Sequence, residues 1–395
     1  MKTKWPIVKL KDLMRQNRTS ELVKSDRSYR LLGIRLEGNG VFIREEKLGS
    51  HIGAKTLQKV DAGDFIYSRL FAWRGAFGVI PSSMNGAYVS NEFPNFKVDE
   101  RRVYPRYLEL YFRQRSIWKD VEKKCSGTTK ASRNRFKERF FLDVDIPLPS
   151  LEEQKSIAQK IDEFITLVGE AKKLGVVVLE EAKALFEYAV DKAFEDTNHA
   201  KRQKLSAVTT KIGSGSTPMG GRKSYPTSGI HFIRSLNVRM REFQWEGIVF
   251  ISRETHEKMH GTRVRPNDVL LNITGASIGR VAVVPSNLTE ANVNQHVSII
   301  RPTEILDSRY LMYWLSQPSI QNLIDESQKG ETREGLTKAQ IGSFEAPLPE
   351  LSEQHRMVAY LDSLHKKVDA IEELAKDSGK EIEAIVPSIL NETFK

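Results

Sequence analysis

Cysteine is almost absent from this sequence, since Cys125 is the only one among 395 residues. A single cysteine excludes an internal disulfide and any zinc site built mainly from cysteines. No stretch approaches eighteen uninterrupted apolar residues, so no membrane-spanning helix is expected. The first residues, MKTKWPIVKLKDLM, lack the apolar run of a signal peptide. These absences favour a protein of the reducing cytoplasm.

Catalytic motifs are also lacking. The glycine-rich stretch GSGSTPMGGRKS (213–224) supplies neither the Gly-Lys-Ser/Thr of a Walker A loop nor a complete dinucleotide fingerprint. There is no Asn-Pro-Pro-aromatic stretch of the kind amino-methyltransferases use, and IREEKLG (43–49) has no partner Asp nearby for nuclease chemistry. The eight histidines are scattered, with no pair at metal-ligand spacing. We therefore expect no catalytic residues, no metal and no cofactor.

Basic residues outnumber acidic ones, 61 to 51, which gives a formal net charge of +10 and a pI near 9.4. An excess of positive charge points to a polyanionic partner such as a nucleic acid. Charge alone does not identify that partner, because many basic proteins bind none.

An internal repeat organises the chain. IPLPSLEEQKSIAQKID (146–162) and APLPELSEQHRMVAYLD (346–362) share seven of seventeen positions at an offset of 200 residues. Pro-Leu-Pro cannot continue a helix but can lead into one. After it, apolar residues recur at alternate spacings of three and four in both copies, which predicts a long helix of about 60 Å with a heptad seam.

Two such helices in one chain can pair with each other, antiparallel, about a pseudo-twofold axis. The alternative is two unrelated helices, each buried on its own domain. The residues expected to pair the helices or dock a partner are Ile161, Phe164, Val168 and Leu185 in the first copy and Leu361, Leu364, Val368 and Ile385 in the second.

The repeat also includes the segments before each helix. GDFIYSRLFAWRGAFGVIP (63–81) aligns with NDVLLNITGASIGRVAVVP (267–285), and RYLELYF (106–112) with RYLMYWL (309–315). Short β-branched runs predict strands, and amphipathic runs predict helices, so the fold class is α+β. The expected division is a domain over 1–150, a long helix over 151–195, a linker over 196–204, a second domain over 205–348 and a second long helix over 349–395.

Basic, amide and hydroxyl side chains recur at matching places in both halves, with aromatics among them. Arg suits guanine edges and phosphates, Asn and Gln suit adenine, and hydroxyls suit phosphate oxygens. For any one of these residues a solvated loop is the plainer interpretation, so the recurrence is the stronger argument. The candidate DNA-contacting residues are Arg69, Trp73, Arg74, Asn91, Thr128, Lys130, Arg133 and Arg135 in the first half and Ser214, Ser216, Arg234, Asn237, Arg239, Asn272, Thr274, Arg280, Asn294, Gln295 and Arg333 in the second.

Taken together, these features resemble the specificity subunit of type I restriction-modification systems. The resemblance covers essentially the whole chain and rests on the doubled Pro-Leu-Pro-x-Leu-x-Glu-Gln, on Gly-x-Thr at 127–129 and 330–332, and on GSGSTP in the second half. It implies two tandem target-recognition domains that read the two halves of a bipartite DNA site. It also implies partners: two methyltransferase subunits docked on the paired helices, then restriction subunits. Such a subunit has no catalytic activity of its own.

Other functions stay open at this point. The chain could be the specificity subunit of a related enzyme that cuts on both sides of its site. It could be a scaffold whose helices form a homodimeric coiled coil, or a self-contained methyltransferase or nuclease. The first half departs from the family pattern, because it lacks a GSGSTP equivalent and has SYRLLGIRLEGNGVF (28–42) instead.

Overall fold

The computed structural model describes residues 5–126, 134–197, 199–218, 225–327 and 335–394. The chain forms two compact units. Unit 1 comprises Met1–Val176 and Lys376–Lys395, and unit 2 comprises Val177–Ala375. Each unit therefore combines one globular domain, the first part of the long helix that follows it in sequence, and the last part of the other long helix.

The elements of the first half begin with an irregular series of short strands and end in a long helix. They are β1 Ile7–Lys9, β2 Met14–Asn17, β3 Ser20–Leu22, β4 Ser28–Ile34, β5 Val41–Leu48, β6 Thr56–Lys59, β7 Phe65–Tyr67, β8 Phe77–Val79, β9 Tyr88–Val89, β10 Asn95–Val98, α1 Pro105–Phe112, α2 Arg115–Lys124, α3 Glu138–Leu142, β11 Asp145–Pro147 and α4 Leu151–Glu195.

The second half repeats this order with fewer strands. Its elements are β12 Arg202–Lys204, β13 Thr209–Ser214, β14 Ile230–Ile233, β15 Val249–Ile251, α5 Arg253–Lys258, β16 Val269–Asn272, β17 Val281–Val283, β18 Ala291–Val293, β19 Val297–Pro302, α6 Ser308–Leu315, α7 Pro318–Glu326, α8 Lys338–Ser343, β20 Glu345–Pro347 and α9 Leu351–Thr393.

The central antiparallel sheet has the same strand order in both units. It runs β2-β10-β7-β8 in unit 1 and β13-β19-β16-β17 in unit 2. A two-stranded pair closes each domain, β1 with β11 and β12 with β20. The units differ in their outer sheet, which is β3-β6-β9-β4-β5 in unit 1 and β15-β14-β18 in unit 2. The α+β class and the tandem repeat are thus confirmed.

A buried glutamine joins the start of each long helix to its domain. Gln154 accepts a hydrogen bond from the Tyr104 amide at 2.8 Å and donates to the carbonyls of Arg102 and Pro149. Gln354 makes the corresponding three bonds in unit 2, to Asp307, Ile305 and Pro349. Both side chains are fully buried. This clamp is the structural reason that Glu-Gln closes each copy of the Pro-Leu-Pro motif.

Tyrosine and arginine side chains strengthen the same junction. The Tyr107 hydroxyl donates to the Pro147 carbonyl at 2.7 Å, and the Tyr310 hydroxyl donates to the Pro347 carbonyl at 2.9 Å. Ion pairs of 2.5 and 2.7 Å link Arg106 to Asp162 and Arg309 to Asp362. The aligned RYL segments of the two halves therefore hold each domain on the helix that follows it.

The two long helices pack together in antiparallel fashion. In unit 1 the core includes Ala158 and Ile161 from α4 together with Leu390 and Phe394 near the end of the chain. In unit 2 it includes Phe186 and Val190 from the end of α4 and Leu361 from the start of α9. Lysine–glutamate pairs of 3.2 and 3.0 Å cross between the helices, one in each unit.

The helix seam differs in part from the one predicted. Ile161 and Leu361 are buried, and Val168, Leu364 and Val368 are half-buried. By contrast, Phe164 is 48% exposed, Leu185 68% and Ile385 39%. The buried face continues instead through the neighbouring Ile165 and Phe186. Adjacent apolar pairs, such as Phe164 and Ile165, satisfy the same heptad count, so spacing alone cannot choose between them.

None of the helices in the described ranges is long and apolar enough to cross a membrane.

The glutamine clamp yields a stability prediction. Gln154→Ala removes the side chain that is the hydrogen-bond partner of the Tyr104 amide and of the Pro149 carbonyl. Leaving such buried groups without hydrogen bonds costs about 1–3 kcal/mol. We expect the free energy of unfolding, measured by urea denaturation, to fall by about that amount.

Gln159→Ala is the matched control, because Gln159 lies on the same helix but is exposed and donates to the exposed Glu163. It should change the stability by less than about 0.5 kcal/mol. Equal effects of the two variants would contradict the clamp.

Candidate nucleic-acid interface

Three segments meet at one edge of the central sheet in unit 2. They are the end of β13 with residues 214–218, the loop 273–280 between β16 and β17, and the loop 294–296 between β18 and β19; we call them the unit 2 interface. The Thr274 hydroxyl and Nδ1 of His296 are 2.5 Å apart, which joins two of the segments. The Thr217 hydroxyl donates to Oε1 of Gln295, which joins the third.

Gly215 explains why the first segment is rich in glycine. A Cβ atom at this position would lie 1.9 Å from the carbonyl oxygen of Val293 and 2.4 Å from that of Asn294. Only a residue without a side chain allows the backbone to pass so close. The flanking Ser214 and Ser216 are exposed. The GSGSTP stretch thus places two hydroxyls beside the 294–296 loop.

The corresponding unit 1 interface consists of the loop 68–76 between β7 and β8, the loop 90–94 between β9 and β10, and the residues Ser126 and Arg135. The Arg69 guanidinium donates to the Asn91 carbonyl and forms an ion pair with Glu138. Arg135 pairs with Glu92 at 2.7 Å. Arginine side chains therefore dominate this surface, whereas hydroxyl and amide groups dominate the unit 2 interface.

Backbone hydrogen bonds hold both interfaces in the same way. In unit 1 the Phe136 amide donates to the Arg69 carbonyl at 2.9 Å, and in unit 2 the Leu336 amide donates to the Ile273 carbonyl at 2.9 Å. The Arg69 amide donates to the Glu92 carbonyl and the Ile273 amide to the His296 carbonyl, both at 3.0 Å. The shared frame carries different side chains.

Gly75 and Gly279 occupy the same turn of this frame. Their φ angles are +76° and +82°, which L-residues rarely adopt. A Cβ atom at Gly75 would lie 2.4 Å from the Trp118 ring, and one at Gly279 would lie 2.3 Å from the Gln321 amide. Trp118 donates to the Phe112 carbonyl and Gln321 donates to the Leu315 carbonyl. The glycines let helices α2 and α7 brace the loops from behind.

The structure places the predicted contact residues at different depths. Those with exposed side chains are Arg74, Asn91, Arg135, Ser214, Ser216, Arg239 and Gln295. Those that are half-buried are Arg69, Trp73, Arg234, Thr274 and Arg280. Trp73 donates its indole N–H to the Leu70 carbonyl and packs on the unit 1 core, while Arg74 lies over its ring at 5.9 Å. Arg234 donates to the Gly247 carbonyl at 2.6 Å.

Three amide residues predicted to face DNA are buried instead. Asn237 is fully buried, and its side chain bonds the Arg234 amide and the carbonyls of Gln244 and Glu246. Asn272 is also fully buried and donates to the Ser235 carbonyl at 2.9 Å. Asn294 is 7% exposed and accepts from the His296 amide. Polar residues in loops commonly stabilise turns in this way, and sequence alone does not separate the two roles.

Thr128, Lys130, Arg133 and Arg333 lie outside the described residues. So do the Gly-x-Thr stretches at 127–129 and 330–332.

A family model described as the type I restriction modification DNA specificity domain matches residues 2–174 and 209–378. The two matches cover most of the chain and one falls on each half. This chain belongs to that family.

The sequence identity to individual members of the family is low. The chain is 26% identical over 297 residues to the type I restriction enzyme EcoBI specificity subunit of Escherichia coli, a match that covers 68% of this chain and 62% of that protein. It is 20% identical to the MjaVIII specificity subunit of Methanocaldococcus jannaschii, over 98% of this chain and 91% of that protein. The chain thus spans under two thirds of the length of its E. coli relative.

Two solved structures share the fold. A chain from a study of complex assembly and conformational transition of the type I R-M system aligns with a TM-score of 0.75 at 21% identity, covering 99% of this chain and 97% of that one. The HsdS subunit from Thermoanaerobacter tengcongensis aligns with a TM-score of 0.67 at 21% identity, covering 99% and 96%.

Several residues that hold this fold together are not indicated by the sequence. Arg241 is one: its side chain is 5% exposed, pairs with Glu187 of α4 through two bonds, and donates to Ser316. It also lies 5.0 Å over the Phe186 ring. His296 and Thr217 were missed as members of the unit 2 interface. A basic residue in a loop gives no sequence signal that it is buried.

Gly215→Ala tests the packing of the unit 2 interface. The added methyl group has to displace the backbone of Val293–Asn294, a kind of overpacking that typically costs about 1–3 kcal/mol. We expect a lower melting temperature by differential scanning calorimetry and weaker DNA binding.

Gly213→Ala is the control on the same strand, since a Cβ atom there meets no atom within 4 Å. It should melt close to the wild type. If the two variants melted alike, the close approach at Gly215 would not be present in solution.

Proposed function

We propose that the chain is the sequence-specific DNA-recognition subunit of a type I restriction-modification complex, and that each of its domains reads one half of a bipartite, asymmetric site. The observation that carries this proposal is the shared hydrogen-bonded frame with different side chains. A common frame gives both domains the same way of approaching a duplex. Different side chains on it suit half-sites of different sequence.

The unit 2 interface offers amide and hydroxyl chemistry. Gln295 can form the paired hydrogen bonds that distinguish adenine in the major groove. Thr217 and His296 contact its amide group and limit the orientations it adopts. Ser214 and Ser216 are suited to phosphate oxygens. We assign base reading at this edge to Gln295 and phosphate contacts to the two serines.

The unit 1 interface offers guanidinium chemistry. Arg can donate two hydrogen bonds to the O6 and N7 atoms of guanine. Arg69 is held by Glu138 and by the Asn91 carbonyl, whereas Arg74 is exposed. We assign base reading to Arg69 and Arg74, and we assign Trp73 the role of supporting Arg74 from below. We assign Asn237 and Asn272 the role of positioning loops, because both are buried and hydrogen-bonded to loop carbonyls.

Assembly with partner subunits fits the exposed apolar surface of the helices. In unit 2 a groove of about 760 Å³ runs between the end of α4 and the start of α9. Its lining includes Leu185, Tyr188, Tyr360, Leu364 and Val368. Leu185, Tyr188 and Tyr360 are each more than half exposed. Exposed apolar surface of this kind marks interaction sites, and we propose that a helical segment of a methyltransferase subunit occupies it.

In unit 1, Phe164, Leu167 and Ile385 expose a similar apolar surface on the same pair of helices. Two such surfaces accord with two methyltransferase subunits. In this proposal methylation and cleavage are carried out by the methyltransferase and restriction subunits, and the chain acts on DNA in the cytoplasm.

Exchange of one domain tests the function. Residues 204–346 are replaced by the matching domain of a family member with a different site, and modified bases are mapped by sequencing in cells with and without the chimera. One half of the recognised sequence should change, while the other half and the spacing persist. A chimera that altered both halves, or a wild-type gene whose deletion removed no modified motif, would contradict the proposal.

Substitution in the unit 2 groove tests the partner surface. Leu185→Asp places a charge on the apolar lining without disturbing the core, because Leu185 is 68% exposed. We expect unchanged melting but loss of methyltransferase copies, measured as the mass of the purified complex. Leu361→Asp should instead unfold the protein, since that residue is fully buried.

Leu22→Asp is the control for Leu185→Asp, because Leu22 is 74% exposed but lies on β3 of unit 1. It should assemble normally. A Leu185→Asp complex of wild-type mass would remove the groove from the docking site.

A further inference from the structure

A second groove in unit 2 has a cationic lining that the proposed DNA interface does not use. It has a volume of about 770 Å³ and lies between β12–β13 and helix α8. Lys204, Lys211 and Lys338 line it, together with the small or hydroxyl residues Ser206, Gly342 and Ser343. Within the described residues, acidic side chains do not contribute to this lining.

The lysines of this groove are available to an anion. Lys204 and Lys338 are exposed and, among the described residues, have no carboxylate within ion-pair distance. Glu345 lies opposite Lys204 in the β12–β20 register but does not pair with it there. Lys211 is half-buried and donates to the Arg263 carbonyl at 3.3 Å. Burial lowers the pKa of Lys211, and the nearby charge of Arg301 lowers it further; an anion in the groove would offset both effects.

The equivalent place in unit 1 is neutralised. Lys9 occupies the position of Lys204 and pairs with Asp143 at 2.9 Å and with Asp145 at 3.4 Å. Ser343 stands where unit 1 has Asp143. Helix α8 begins with Lys338 where helix α3 begins with Glu138. The two units therefore share the backbone of this site but differ in its charge.

The groove and the unit 2 interface share two segments of the chain. Strand β13 lines the groove with Thr209 and Thr210 and ends at Ser214 in the interface. Six residues of strand span about 17 Å, so the groove and the interface lie within one strand length of each other. The segment before helix α8 makes the second link, because Leu336 bonds to Ile273 of the interface and Lys338 lines the groove.

We propose that this groove binds the sugar–phosphate backbone of the DNA next to the bases read by unit 2. The inference rests on the proposed function and adds to it a phosphate contact made by one domain alone. The hydroxyls of Thr209 and Ser343 already donate to backbone carbonyls. The attraction therefore comes from the lysine charges, and it is independent of sequence.

The test measures the salt dependence of DNA binding by the full chain in complex with its methyltransferase subunits. The duplex carries the site obtained from methylation mapping. Each phosphate contact contributes about 0.9 to the slope of log Kobs against log salt concentration. Lys204→Ala with Lys338→Ala should reduce the slope by about 1–2 and leave the mapped sequence unchanged. Lys338→Glu, which introduces the unit 1 residue, should weaken binding more than Lys338→Ala.

Two controls accompany this test. Lys204→Arg with Lys338→Arg keeps the charge and should keep the slope. Lys258→Ala removes a lysine of unit 2 that already pairs with Glu254, and it should also leave the slope unchanged.

A wild-type slope in the double alanine variant would overturn the inference. So would a changed recognition sequence, which would mean base reading, or a loss of methyltransferase copies, which would mean a protein partner in the groove. If no modified motif depended on the gene, the proposed function would fail before this experiment began, so the two failures are distinguishable.

Discussion

The structure depends on the junction at which each globular domain meets its long helix. One buried glutamine side chain, Gln154 or Gln354, forms three hydrogen bonds to backbone groups there, of which the bond to the proline carbonyl is itself buried. The prolines before it end the closing strand and start the helix without requiring an amide hydrogen bond. Breaking this clamp would leave backbone groups without hydrogen bonds, so the side chain at the junction is constrained, whereas many side chains of the sheet-edge loops are exposed.

That difference explains how one fold can hold two different surfaces. At the sheet edge the loops are held by main-chain bonds, such as those that Phe136 and Leu336 donate. Main-chain bonds do not depend on side-chain identity, so the side chains there can vary without loss of the frame. Gly75, Gly279 and Gly215 are exceptions, because a side chain at each would meet atoms closer than 2.5 Å.

The sequence predicted the features that occur in both halves of the chain, because each copy supports the interpretation of the other. Pro-Leu-Pro, the 200-residue offset and the run of apolar spacings together located the two long helices and the tandem domains. Residue-level burial was harder to predict. Phe164 and Ile165 fit the heptad equally well, and only packing against α9 decides between them. Asn237 and Asn272 have side chains that could read a base, but their amide groups donate hydrogen bonds to backbone carbonyls of neighbouring loops. Arg241 is buried and forms an ion pair with Glu187, which lies more than fifty positions away in sequence. No local sequence pattern therefore indicates that Arg241 is buried.

The arginines of the unit 1 interface and the lysines of the cationic groove of unit 2 differ in how their charges are held. Arg69 and Arg135 of unit 1 are already paired with Glu138 and Glu92. A guanidinium held in this way has lost side-chain entropy before DNA arrives, and its charge is partly neutralised. In the proposed recognition, such a guanidinium is suited to directional hydrogen bonds to a base, as assigned to Arg69, more than to general attraction to phosphate. Lys204 and Lys338 present the opposite case, since their charges are exposed and their ammonium groups impose little geometry. A chain that combines held arginines in one domain with exposed lysines in the other can thus separate sequence discrimination from affinity.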